Sequence, residues 1–305
     1  MARSLPLRIG MPENSSTKIN VGVAGWDYRD WIGVFYPEPL PRDFDRLHFL
    51  ASHVSLIEIN SSFYGPPRPK TARDWLKRIE DIDDFRFTAK LWRRFTHERT
   101  TTWTRKEVRE TTQGLRPLLD AHRLDAVVMQ FPWSFRNTEA NREWLEDVRS
   151  TFADFPLVLE VRHAGWNDPD VFQWLRDNAV GFVNIDQPTF KRSIKPSAHA
   201  TSRVGYVRVH GRNYQDWFRK HAGRDRRYDY LYERDQLKPW AQRAKALARE
   251  EETESVDVVF NNHYRAKAVV NAKQFENLLT GRKVRAPAEL VSAYPAALES
   301  IARRR

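Results

Sequence analysis

The chain has 305 residues, a formal net charge of +11 at pH 7 and no cysteine. The absence of thiols excludes disulfides, thiolate metal sites and cysteine nucleophiles together, and it fits a reducing cytoplasm, where the protein is expected to work. No apolar run approaches the roughly 20 residues that span a bilayer, so no membrane partner is expected. The basic balance favours anionic partners, nucleic acid or a phosphosugar among them.

Residues 1–18, MARSLPLRIGMPENSSTK, hold no continuous apolar core of signal-peptide length and read as a flexible lead-in. From residue 19 short aliphatic and β-branched runs recur: INVGVAG (19–25), SLIEIN (55–60), FRFTAK (85–90) and AVVMQF (126–131). LVLEV (157–161), GFVNI (181–185), GYVRV (205–209) and VDVVF (256–260) follow. Between them lie segments such as TARDWLKRI, NREWLEDVRSTF and DVFQWLRDN, whose apolar residues recur every three or four positions, the helical period. Strand alternating with helix implies a parallel sheet with crossover helices. Eight such units over residues 19–285 predict a single (β/α)8 barrel of TIM type, with an open doubly wound sheet as the alternative. Residues 286–305 are a C-terminal extension, and no repeat or linker marks a second domain. The stretch 211–255, dense in arginine and tyrosine, is a long excursion predicted to lie over the barrel mouth.

The predicted strands end in polar residues. Side chains two apart share a face of a strand, so Glu58 pairs with Asn60, Thr88 with Lys90, and Glu160 with Arg162. By the same count Asn184 pairs with Asp186 and Arg208 with His210, while Gln130 follows Val128 and Asn262 follows Phe260. Barrel enzymes place their chemistry at the C-terminal strand ends, so these residues are expected to line one shared cavity. Buried polar layers also close barrel mouths without doing chemistry, and Arg208 and Gln130 are the first candidates for that structural role.

Several blocks also look familiar. VGVAGWDYRDWIGVFYP, EINSSFYG, FPWSF, EVRHAGW, YVRVHGRN, RYDYLY and FNNH occur in this order, and together they resemble the YecE-like family, also called the domain of unknown function 72. The resemblance runs from about residue 20 to about residue 279 and implies a (β/α)8 barrel; it implies no reaction.

Three chemistries fit the polar ends. The first is metal-assisted hydrolysis of a phosphodiester, with Glu160, Asp186 and His210 holding zinc, manganese or magnesium, and His163 and His263 as further ligands. That succession is similar to metal-binding barrels of the xylose-isomerase and AP-endonuclease class. Asn262 in place of a carboxylate, and the positive charges of Lys90 and Arg162, count against a cation. The second is metal-free. Glu58 and Glu160 would serve as a glycosidase pair, or Lys90 would bind phosphate or form a Schiff base in a phosphosugar isomerase or lyase, with Asp186 as a further catalytic carboxylate. Trp26, Tyr64 and Trp133 would offer flat faces to sugars or bases, helped by Asn60, Gln130, Arg162, Arg208 and Asn262. The third is binding without turnover, in which Lys90, Arg162, Arg208 and the Arg224–Arg227 cluster hold a nucleic acid or nucleotide. No P-loop, GxGxxG or HExxH motif is present.

Overall fold

The computed structural model describes residues 17–215 and 227–303. Its eight central strands are β1 (Lys18–Ala24), β2 (Leu56–Ile59), β3 (Arg86–Lys90), β4 (Leu124–Gln130), β5 (Leu157–Glu160), β6 (Gly181–Asp186), β7 (Val204–Val209) and β8 (Ser255–Phe260). All pair in parallel in sequential order, and β1 pairs β8 with Val21 opposite Val258, so the sheet closes into a barrel and the open alternative is excluded. Every predicted strand coincides with an observed one. Gly22 shows how tightly the wall is drawn: a Cβ there would stand 1.7 Å from the Leu56 carbonyl oxygen of β2.

Amphipathic helices wrap the barrel because each has one apolar face to bury. Pro69–Arg78 seats Ala72 and Trp75, Glu139–Thr151 seats Leu145 and Val148, and Arg234–Leu247 seats Leu237, Trp240 and Ala244. The helix Arg105–Asp120 starts at a reciprocal cap, where the Thr104 hydroxyl accepts from the Glu107 amide and the Glu107 carboxylate accepts from the Thr104 amide. No described helix is long and apolar enough to cross a membrane.

The C-terminal extension is part of the same core. Leu290, Val291 and Leu298 are buried, and Ala302–Arg303 pairs with Val284–Arg285 in a two-stranded ribbon. Of the long excursion after β7, residues 227–255 carry the helix Arg234–Leu247, while residues 216–226, with most of the predicted Arg224–Arg227 cluster, lie outside the described residues.

Candidate active site at the barrel mouth

β2 and β7 do not pair, so a side-chain bond between them must cross the barrel interior. Arg208 of β7 makes that crossing. One of its terminal nitrogens donates to Glu58 at 2.6 Å, and the other donates to Glu160 at 2.6 Å and to Gln130 at 2.7 Å. The second oxygen of Glu160 accepts from Arg162 at 2.7 Å and lies 3.2 Å from His210 Nε2. Below this layer the Tyr206 hydroxyl donates to Glu58 at 3.1 Å and meets Thr88 at 3.0 Å. Glu58, Glu160, Arg208 and His210 are all fully buried, and the network compensates each of them.

This wiring sets the protonation states. Burial alone would raise the pKa of Glu160, but Arg208, His210 and Arg162 overturn that and hold it well below the usual carboxylate range. Burial pushes His210 down to about 3, so it is a neutral imidazole. Its Nδ1 accepts from Asn261 at 3.2 Å, which leaves the Nε2 hydrogen aimed at Glu160. Lys90, at the end of β3, has its amine 4.0 Å from Glu58 and its side chain 12% exposed. Burial first, and then the Arg208 guanidinium, push its pKa from 10.5 down to about 7. The Lys90 amine therefore gives up its proton far more readily than an exposed lysine does.

Above this network lies a cleft of about 150 Å³. Lys90, Asn60, Gln130 and Asn261 contribute its polar wall, and Tyr28, Phe63, Tyr64, Tyr228 and His263 its aromatic one. Phe63 and Tyr64 arrive on the short 3-10 turn Ser61–Phe63, and Tyr64 is 64% exposed at the rim. Tyr28 stacks on His263 with ring centroids 4.5 Å apart.

Of the predicted residues, Glu58, Lys90, Gln130, Glu160, Arg162, Arg208 and His210 come together in one network, and Asn60 and Tyr64 join at the cleft. Asp186 and Asn262 do not. Asp186 is held by Arg212, whose Nε donates at 2.9 Å and whose terminal nitrogen donates at 3.0 Å, and by the Tyr232 hydroxyl. Asn262 donates to the Tyr230 carbonyl at 2.7 Å and to Asn271 at 2.8 Å, pinning the segment before the helix Arg234–Leu247. On β6 and β8 the inward residues are one position away: Gln187 accepts from Arg162 at 3.0 Å, and Asn261 reaches His210 and the cleft. Trp26 packs edge-on against Trp75 of the helix wall, with centroids 5.5 Å apart, and Trp133 packs edge-on against His163 at 5.8 Å. Neither reaches the cleft wall formed by the described residues.

The predicted metal ligands do not fit a divalent cation. Both oxygens of Glu160 are taken by guanidinium groups, Asp186 belongs to a different network, and His210 directs its Nε2 hydrogen inward. Among the described residues no group of three or more acidic or histidine side chains converges on a metal position. Gly211, in the HGRN block, adopts a φ of 95° and its amide donates to the Tyr232 hydroxyl at 2.9 Å, which makes it a turn residue of the Asp186 network.

A closed parallel barrel wrapped by helices, whose C-terminal strand ends converge on an arginine-centred ionic cluster beneath a small cleft, is a (β/α)8 barrel protein of TIM type. The chain belongs to the family described as protein of unknown function DUF72, whose profile matches residues 20–293. It is 29% identical over 274 residues to the UPF0759 protein YunF of Bacillus subtilis (strain 168), covering 86% of this chain and 94% of that one. It is also 26% identical over 145 residues to the UPF0759 protein YecE of Escherichia coli (strain K12), 48% of either chain. Among solved structures it is similar to a DUF72 family protein from Thermotoga maritima MSB8, with a TM-score of 0.73 at 29% identity over 86% of this chain and 99% of that one. A DUF72 family protein from Enterococcus faecalis V583 matches its fold at a TM-score of 0.73 and 24% identity, over 86% and 95% of the two chains.

Proposed function

We propose that the chain is a metal-free, amine-dependent enzyme, a lyase or isomerase acting on a small hydroxylated aldehyde or ketone through Lys90. The observation that carries this reading is the position of the Lys90 amine, nearly buried at the wall of the cleft and 4.0 Å from Glu58, where burial and the Arg208 guanidinium lower its pKa. A lysine becomes a nucleophile when burial and a neighbouring cation deprive it of its proton, and Lys90 has both. The neutral nitrogen attacks the carbonyl carbon, the carbonyl oxygen takes up a proton, and the carbinolamine loses water to leave an iminium. The positive charge of the iminium sits where Glu58, 4.0 Å away, offsets it. Asn60, Gln130 and Asn261 supply amides for the hydroxyl groups of the substrate, and the cleft volume favours a molecule of a few carbons over a polymer.

Two other chemistries are less well supported by the same geometry. A glycosidase requires one carboxylic acid that keeps its proton near neutral pH, whereas Glu160 is held strongly ionised and shares Arg208 with Glu58. Metal-assisted phosphodiester hydrolysis lacks a ligand set for the reasons given above.

The test is borohydride trapping. The protein is incubated with glycolaldehyde, glyceraldehyde, dihydroxyacetone phosphate or pyruvate, reduced, and mapped by peptide mass spectrometry. The expected result is a reduced adduct on Lys90 with at least one carbonyl, rising with pH through about 7 and absent in Lys90→Arg. Adducts spread evenly over surface lysines, with Lys90 unmodified, would sink the proposal.

A further inference from the structure

The polar mouth has a rim the Lys90 chemistry does not use. The loops after β4 (131–138, FPWSFRNT) and after β6 (187–203, QPTFKRSIKPSAHATSR) contain no aspartate or glutamate. They present Arg136, Lys191, Arg192 and Lys195, all exposed, and none of these forms an ion pair among the described residues. Exposed cations on the helices are often neutralised, as Lys106 is by Glu110 at 3.7 Å and Arg116 by Asp120 at 2.9 Å.

The loops are tied into one surface. Residues His163 and Ser193 form an antiparallel bridge, in which the Ala164 amide donates to the Arg192 carbonyl at 2.9 Å and the Ile194 amide to the Arg162 carbonyl at 2.9 Å. On the other side the Asn137 amide group donates to the Gly165 carbonyl at 2.8 Å, and Trp133 packs on His163. Arg136 and Arg192 therefore flank one imidazole. Burial first, and then these two charges, lower the pKa of His163. At the far end Tyr214 is 51% exposed, yet its hydroxyl accepts from the Thr189 amide at 3.2 Å and its ring meets Phe190 at 5.8 Å. An aromatic ring held in place by the basic loop and half exposed to solvent can serve as a stacking platform.

We propose that this rim, from Arg136 across Arg192 to Tyr214, binds single-stranded nucleic acid. Cations fixed on tied loops, without an ion pair among the described residues, suit phosphates, and a half-exposed aromatic ring suits an unpaired base, which a duplex does not present. The rim is separate from the cleft and does not depend on the Lys90 reading.

The experiment is fluorescence anisotropy of the full chain with a labelled deoxythymidine strand of about twelve nucleotides, a length within the site sizes of single-strand binders. At low salt, binding should weaken at least about tenfold when Arg136→Glu and Arg192→Glu are combined, and about threefold to tenfold in Tyr214→Ala. The double variant should also flatten the salt dependence by about one to two in log–log slope, because each lost phosphate contact contributes roughly 0.7. A matched variant on the helix wall, Lys106→Glu with Arg109→Glu, should stay within about twofold of the parent, and Lys90→Met should bind as the parent does. Equal losses in the rim and helix-wall variants, or no binding at low salt, would overturn the proposal.

Discussion

Among the described residues around Lys90, the charges of Glu58, Glu160, Arg162 and Arg208 sum to zero, with His210 neutral beside them. Burial, and then the Arg208 guanidinium, disfavour a further positive charge on the amine, and Glu58 and Glu160 offset this only in part, which is why its pKa falls. The consequence for stability has a definite sign. Between about pH 7 and 10.5 the unfolded chain holds a proton on this lysine that the folded one has released, so this group makes stability rise with pH across that window. The floor of the barrel carries the opposite slope. Asn20 of β1 donates to Asp257 at 2.9 Å and to Asp125 at 3.2 Å, and Asp257 is fully buried with no ion pair among the described residues. Burial raises Asp125 from 3.8 to about 6 and raises Asp257 further. The folded state thus binds more protons above pH 4, and stability falls as pH rises through 6. Asp257→Asn keeps the amide contacts without a charge. It should therefore gain about 1–3 kcal/mol at pH 8 and close to nothing at pH 4, in urea unfolding followed at both values. A parallel shift of the two pH curves would contradict a shared buried proton.

At the scale of a strand, β5 shows how much one element contributes to the mouth. Glu160 accepts from arginines of β7 and of the segment just after β5, so Glu160→Gln removes from the buried cluster the negative charge that two guanidinium groups share. A loss of about 3–5 kcal/mol in unfolding free energy is expected, and a loss below about 1 kcal/mol would mean that the cluster contributes little to folding. Strand phase also explains what could be read in the sequence. Spacing by two placed Glu58, Lys90, Glu160 and Arg208 correctly, because each has a polar neighbour of the same phase that turned out to face inward. It failed on β6 and β8, where Asn184, Asp186 and Asn262 face away from the barrel interior. Strands buried on both faces are apolar on both, so alternation carries no absolute phase, and a buried polar residue on the outer face looks the same as one inside. Asp257 was the available signal on β8: it shares phase with Asn261, and a charged residue in mid-strand marks the interior.

Across the whole molecule the eight strand–helix units were legible from periodicity, and the family blocks pointed to the same barrel. The C-terminal extension was not legible as core, because Leu290, Val291 and Leu298 sit in segments too short to show a helical period. Arg212 and Tyr232, which hold Asp186, come from the excursion after β7, where contacts depend on how the chain returns to the barrel. The proposed chemistry depends on one amine at the wall of one cleft. The most direct test is a titration of the lysine Cε–Hε resonances by nuclear magnetic resonance, with the signal of Lys90 assigned by its loss in Lys90→Arg. A midpoint near 7, well separated from the other lysines, is the predicted result. A midpoint above about 9 would leave Lys90 an ammonium paired with Glu58 and contradict its role as a nucleophile.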